Sequence, residues 1–200
     1  RQAEQSPSGP HLGEAGEIAV VTGLSGAGRT TVTNVLEDTG WYVVDNLPPS
    51  LIGNLAAMSD RLRVEADRAP RLAVACTVPS EAVVEDLAEA LKELRAAGWK
   101  PWVLYLDASE AELVRRYEAV RRPHPLQGQG RLLDGIRAER RLLGSLRATA
   151  DVVVDTSGLN VHQLSAQIGR MVEPGEDLPR VSVMSLSLIH ISEPTRQEAI

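Results

Sequence analysis

Two hundred residues with 43% hydrophobic side chains suffice for one substantial core and exclude a wholly disordered chain. A formal net charge of −6 argues against wholesale nucleic-acid binding, which depends on clustered cations. One cysteine, Cys76 in the apolar run "RLAVACTV", excludes an internal disulfide and a cysteine-based zinc site and reads as a buried core thiol.

Residues 1–16 are rich in Gly, Pro, Ser and Glu and read as a flexible leader, without the apolar stretch of a secretion signal. Short, nearly all-apolar runs then recur at 18–22, 41–45, 71–78, 102–108 and 151–157, as expected of strands buried on both faces. Between them lie helical patterns at about 28–39, 50–67, 80–97, 109–121, 131–147 and 160–172. Ser109 and Glu112 have capping-box spacing, and the 80–97 pattern stops at Gly98. Such alternation predicts an α/β fold, a parallel sheet flanked by helices. From 174 to 200 the sequence reads as an irregular tail in which the run 181–191 lacks partners. "SLIHISEPTR" resembles a translated sequencing adaptor, so the last fifteen or so residues are expected not to be native protein. No apolar run approaches the roughly 18 residues that cross a bilayer, and a cytoplasmic setting is expected.

The segment "GLSGAGRTT" follows the first strand directly and has the frame G-x-x-x-x-G-K-[ST], with Arg29 in the lysine position. Glycines at Gly23, Gly26 and Gly28 let backbone N–H groups converge on phosphate oxygens, and the helix that follows aims its positive end at the same charge. The expected phosphate-binding residues are therefore Gly23, Leu24, Ser25, Gly26, Ala27, Gly28, Arg29, Thr30 and Thr31, with the Thr30 hydroxyl on Mg²⁺. Arg29 keeps the charge but replaces a compact ammonium with a planar fork, so binding is expected to survive better than turnover.

Two acids end later strands. Asp45 in "YVVDNLPPS" is expected to position Mg²⁺ or a water, or to act as base; Asp107 in "VLYLDAS" is expected to partner the metal indirectly, through the groups that bind it, although "DASEAE" also reads as a helix start. From 111 to 150 nine arginines face four acids, a local cationic field in a negatively charged chain. Its part from 115 to 147 reads as a lid able to swing guanidinium groups onto a transferring phosphoryl group, or as a solvated helix face. Arg121 and Arg122, beside the Pro- and Gly-rich connection 121–131, are the expected lid cations, and Arg115 and Arg116 are expected at the surface. His124 and His162 lack metal-ligand spacing, so no zinc is expected.

The strings "GLSGAGRTTVTNVLEDTGWYVVDNLPPSLI", "RRYEAVRRPHPL" and "ADVVVDTSGLNVHQL", in that order, resemble the RapZ/YvcJ family of P-loop nucleotide-binding proteins, also described as RNase adapter proteins, over residues 17–173. The resemblance implies a P-loop NTPase/kinase-like domain that binds ATP and GTP and hydrolyses them slowly, with regulation of small-RNA decay or amino-sugar synthesis in some members. It also implies a second nucleotide motif at Thr77, Val78, Pro79 and Ser80. Here Thr77 and Pro79 replace the acid and the arginine of that motif, which puts a GTP preference in doubt. The family continues into a C-terminal domain linked to RNA and sugar-phosphate binding, so a protein or RNA partner is expected through that domain and not through these residues. A small-metabolite kinase and a nucleotide-switched binding module without turnover are the competing readings.

Overall fold

A computed structural model describes residues 16–63, 71–121, 123–172 and 182–184. Strand β1 (Glu17–Gly23) leads through helix α1 (Arg29–Asp38) to β2 (Tyr42–Asp45), then through a 3-10 turn (Pro49–Leu51) and α2 (Ile52–Arg63) to β3 (Arg71–Ala75). Helix α3 (Glu81–Ala96) connects to β4 (Lys100–Asp107), and α4 (Glu110–Val120), α5 (Leu132–Leu142) and α6 (Gly144–Thr149) precede β5 (Val152–Asp155), α7 (Val161–Val172) and β6 (Ser182–Met184).

The six strands form one sheet in the order β2-β3-β1-β4-β5-β6, and all neighbours are parallel. Central position explains the composition of β1: Ile18, Ala19, Val20 and Val21 are fully buried, because helices cover both faces and no polar side chain has a wet side to turn to. The chain leaves β1 towards β2 and β3 on one side, then crosses to β4 and β5 on the other. A crevice opens where this direction reverses, beyond the carboxyl end of β1 between β3 and β4, and in open parallel sheets that is where ligands bind.

Helix ends follow local chemistry. After α1, Gly40 takes φ 86° and the Trp41 N–H reaches back to the Leu36 carbonyl at 3.0 Å; after α3, Gly98 at φ 85° lets the Trp99 N–H do the same to Leu94. Ser109 caps α4 by accepting the Glu112 N–H at 3.3 Å, as its spacing predicts. The Glu112 carboxylate does not close the box but turns to Arg115 and Arg116.

The structure differs from the sequence reading in three places. The single helix expected over 131–147 is two, α5 and α6, broken at Leu143, which caps both, with Gly144, a poor helix former, next in the chain. The strand expected over 71–78 ends at Ala75, before Pro79. Residues 182–184, within a run expected to lack partners, pair with β5, whose outer edge otherwise carries unsatisfied backbone groups. The remainder of the tail and the leader up to residue 15 lie outside the described residues.

Cys76 follows β3 and is 1% exposed, as expected of a core thiol, and burial pushes it up to about 12. The reactive species is the thiolate, so iodoacetamide at about pH 8 is expected to leave Cys76 intact in the folded chain over a period that fully labels an unfolded sample. Equal labelling rates in the two samples would contradict its placement.

Candidate functional site

The loop between β1 and α1 is built by close approach. Gly23 has φ 137°, and a Cβ there would lie 2.2 Å from the Leu106 carbonyl oxygen of β4, so only glycine lets the strands run this near. The Leu24 N–H then donates to that same oxygen at 3.0 Å, anchoring the start of the loop to the neighbouring strand. Gly26 and Gly28 also adopt positive φ, 85° and 105°, turning the chain back on itself before α1 begins. Such reversals point successive N–H groups into one concavity.

Helix α1 starts without a cap of its own. Gly28 has no side chain to offer, and its first turn carries no acidic residue. The N–H groups at the start of a helix lack intrahelical partners, so this end presents donors and positive dipole to the crevice. An anion is the natural occupant. Thr30 is exposed in this turn, placed to offer a hydroxyl to a cation travelling with such an anion.

Arg29 does not point into the concavity. Its Nη1 donates to the Cys76 carbonyl and to the Thr77 hydroxyl, both at 2.9 Å, and so lies across the carboxyl end of β3. Thr77 is thereby the member of the expected second motif that touches the loop. Val78 is packed in the core, while Pro79 is exposed and Ser80 forms the N-cap of α3.

The other side of the loop is held by residues the sequence reading undervalued. Thr156, fully buried just after β5, donates its hydroxyl towards the Ala27 carbonyl at 3.0 Å and the Asp107 carbonyl at 3.1 Å. Arg116 belongs to the site and not to the surface: Nη1 donates to the Gly26 carbonyl at 3.0 Å and to Thr156 Oγ1, while Nη2 donates to the Thr156 carbonyl at 2.7 Å. Glu112 steadies it through a 2.7 Å ion pair, four residues earlier on the helix. This guanidinium fastens the Gly26 carbonyl, which helps keep the neighbouring N–H groups facing the crevice. Arg115, 71% exposed, is the surface residue expected.

Glu139 of α5 reaches the loop from above. Its Oε2 accepts the Ser25 N–H at 2.9 Å and its Oε1 accepts the Ser25 hydroxyl at 2.6 Å. The carboxylate is buried, as is His124, whose Nε2 lies 3.0 Å from Oε2. Because His124 Nδ1 accepts the Leu126 N–H at 3.1 Å, Nε2 carries the ring proton and donates it to Glu139. Gly135 makes room for this contact, since a Cβ there would stand 3.0 Å from His124 Nδ1 and 2.9 Å from the Gln127 backbone. The Tyr117 ring packs 5.1 Å from the imidazole, and burial pushes its phenol up.

Asp107 is not an open metal ligand. Oδ1 accepts from Arg140 and from the Ala108 N–H, and Oδ2 accepts from Arg147, each at 2.8 Å. Both oxygens join α5 and α6 to the end of β4, so an ion in the crevice would meet Asp107 only through an intervening group. The ion pair and burial respectively raise and lower the Arg147 guanidinium, with a net shift upward. Asp45 ends β2 and is exposed, two strands from β1 and about 10 Å from its axis at the usual strand spacing. Arg121 is exposed at the left-handed C-cap of α4, and Arg122 lies outside the described residues. His162 is exposed on α7. Among the described residues no group of three or more His, Cys, Asp or Glu side chains could hold a metal ion, and no helix is long and apolar enough to cross a membrane.

Residues 17–175 match the family described as RapZ-like N-terminal domain. The chain belongs to that family. The RapZ-like chain is 55% identical over 152 residues to a nucleotide-binding protein of Saccharopolyspora erythraea, covering 76% of this chain and 51% of that protein. It is 52% identical over 170 residues to one from Renibacterium salmoninarum, covering 84% and 55%. The chain thus spans about half the length of the curated relatives it matches. In three dimensions it is similar to the tunicamycin resistance protein of Deinococcus radiodurans, with TM-score 0.52 at 19% identity over 78% of this chain and 95% of that one. That likeness is one of fold, a parallel sheet flanked by helices, as the sequence reading expects.

Proposed function

We propose that this domain binds ATP or GTP with Mg²⁺ in the Gly23–Thr31 loop, hydrolyses it slowly in the cytoplasm, and serves a regulatory, RNase-adapter-like role completed by the part of the protein beyond this chain. The observation that carries the reading is the uncapped start of α1, with positive-φ glycines before it, set at the crevice where the strand order reverses. The names of the relatives point the same way.

In this reading the amides from Gly26 to Thr31 receive the inner phosphates, and Arg29 exchanges the Cys76 carbonyl and Thr77 hydroxyl for phosphate oxygens. The donor set fits Mg²⁺ as far as the loop goes: Thr30 supplies the hydroxyl that such a loop offers the ion, with phosphate oxygens and water supplying the rest. The ion would supply charge neutralisation at the phosphates. Asp45 orients a water from the open edge of the crevice, and Arg121 with Arg122 neutralises developing charge. Slowness follows from a cation that must first leave other partners, and Thr77 standing where the related motif has an acid leaves a preference for GTP without support. The exposed carboxylate of Asp45 also suits an acceptor hydroxyl, which keeps the metabolite-kinase reading in play.

Nucleotide titration combined with phosphate-release kinetics tests this. Binding with slow phosphate release that no added hydroxyl acceptor accelerates is the expected result. Acceptor-dependent ADP formation would replace it with the kinase reading, and binding with no phosphate release would replace it with a switched module. Arg29→Ala is expected to weaken binding by about tenfold and to lower turnover by about 100-fold, since a lost charge contact acts more strongly on the transition state.

A further inference from the structure

Glu139 is a buried carboxylate placed against a loop built to receive phosphate. Its two oxygens take both donors of Ser25, the backbone N–H at 2.9 Å and the hydroxyl at 2.6 Å, and His124 fixes it from behind at 3.0 Å. A buried carboxylate is held only where donors satisfy it, and here one residue of the loop and one histidine do so. Neither contact was expected from the sequence.

The position of Ser25 gives this arrangement a consequence. In a loop of this class the backbone approaching the helix wraps the inner phosphates. Ser25, three residues before Gly28 on the arm nearest α4 and α5, therefore faces the outermost phosphate of a longer chain. A diphosphate can fill the inner cradle while Glu139 stays on Ser25. A triphosphate places a further anion beside this carboxylate, in a buried setting where like charges repel strongly. Two nearby guanidinium groups are engaged elsewhere, Arg116 with the Gly26 and Thr156 carbonyls and Arg140 with Asp107, so neither offsets this repulsion, and Arg29 and Mg²⁺ must be shared among all the phosphates.

We infer that Glu139, locked by His124, is a specificity-determining residue that occupies the terminal-phosphate end of the loop and biases it towards nucleoside diphosphates over triphosphates. The inference rests on the proposed nucleotide site. A triphosphate binds at full strength only when the Glu139 carboxylate is displaced from Ser25.

The test is calorimetric titration of ATP, ADP, tripolyphosphate and pyrophosphate into the full chain and into Glu139→Gln, which keeps the shape and removes the charge. Native protein is expected to prefer ADP; Glu139→Gln is expected to raise affinity for ATP and tripolyphosphate about tenfold while changing ADP and pyrophosphate less than about threefold. An unchanged ATP-to-ADP ratio overturns the inference and leaves the nucleotide site standing. Slower phosphate release at unchanged ATP affinity also overturns it, and assigns the carboxylate to orienting the attacking water. No binding of any of the four probes by either protein overturns both the site and this inference. Should the variant fail to fold, the native chain still decides: the Glu139 side-chain carboxyl ¹³C resonance is expected to move with ATP and to stay with ADP, and equal displacement by both overturns it.

Discussion

Gly28→Glu is expected to weaken nucleotide binding by about 100-fold or more, measured by titration of ATP and of ADP. Two effects add. Residue 28 sits at φ 105°, where an L side chain is strained, and its Cβ would stand 2.8 Å from Leu164 Cδ2, so the Leu164 side chain must also shift. The added carboxylate also lands at the open start of α1, where it competes with phosphate for the same N–H groups and repels it at a cost of about 4 kcal/mol at close range. Gly169→Ala provides the control: it lies in α7, a Cβ there meets nothing within 4 Å, and binding is expected to be unchanged. Equal affinities in the native chain and Gly28→Glu would remove the loop from the account.

Gly23→Ala carries the largest expected loss of stability. The new Cβ would meet the Leu106 carbonyl oxygen at 2.2 Å and the Leu106 nitrogen at 2.6 Å, and these are backbone atoms of the central sheet with no freedom to step aside. Adding the strain of φ 137°, the loss is expected to exceed about 3 kcal/mol by urea unfolding. Gly98→Ala isolates the conformational part, because Gly98 has φ 85° but open space around it; its cost is expected to be about 1 kcal/mol. Similar losses for the two variants would show that β1 and β4 are not held as closely as the Leu24–Leu106 hydrogen bond indicates.

Strands β1, β4 and β5 were legible because burial on both faces leaves a run of apolar residues with no alternation to misread. The phosphate loop was legible because glycines at 23, 26 and 28 have a steric purpose that their spacing declares. Arg116 was not. Its place beside Arg115, with Glu112 within helical reach, is the pattern of a solvated ion pair, and only the fold brings Gly26 and Thr156 to its far end. Thr156 gave one faint signal, since it falls inside the string "VVVDTS" that carries the family resemblance. Glu139 gave none, because an acid among the arginines of α5 reads as a neutralising partner until the loop is seen beneath it. Asp107 was legible only in part: an acid ending a strand beside the crevice suits a metal, and the arginines that occupy it lie 33 and 40 residues away. Long-range pairing is what a linear pattern cannot encode.

The fold explains why these misses cluster. Everything from α4 to α6 is inserted between β4 and β5, so that side chains spread over some forty positions converge on one loop. Arg116 and Thr156 grip its carbonyls, Glu139 holds Ser25 with His124 behind it, and Asp107 ties α5 and α6 to the end of β4.

The central claim is that the main-chain amides of the Gly23–Thr31 loop receive a nucleotide's phosphates. The most direct measurement is the backbone ¹⁵N–¹H spectrum of the isotopically labelled chain during addition of ADP with Mg²⁺. The predicted result is saturable displacement centred on the amides of Gly26, Ala27, Gly28, Arg29 and Thr30. Displacement centred on other residues while those five stay fixed would contradict the account.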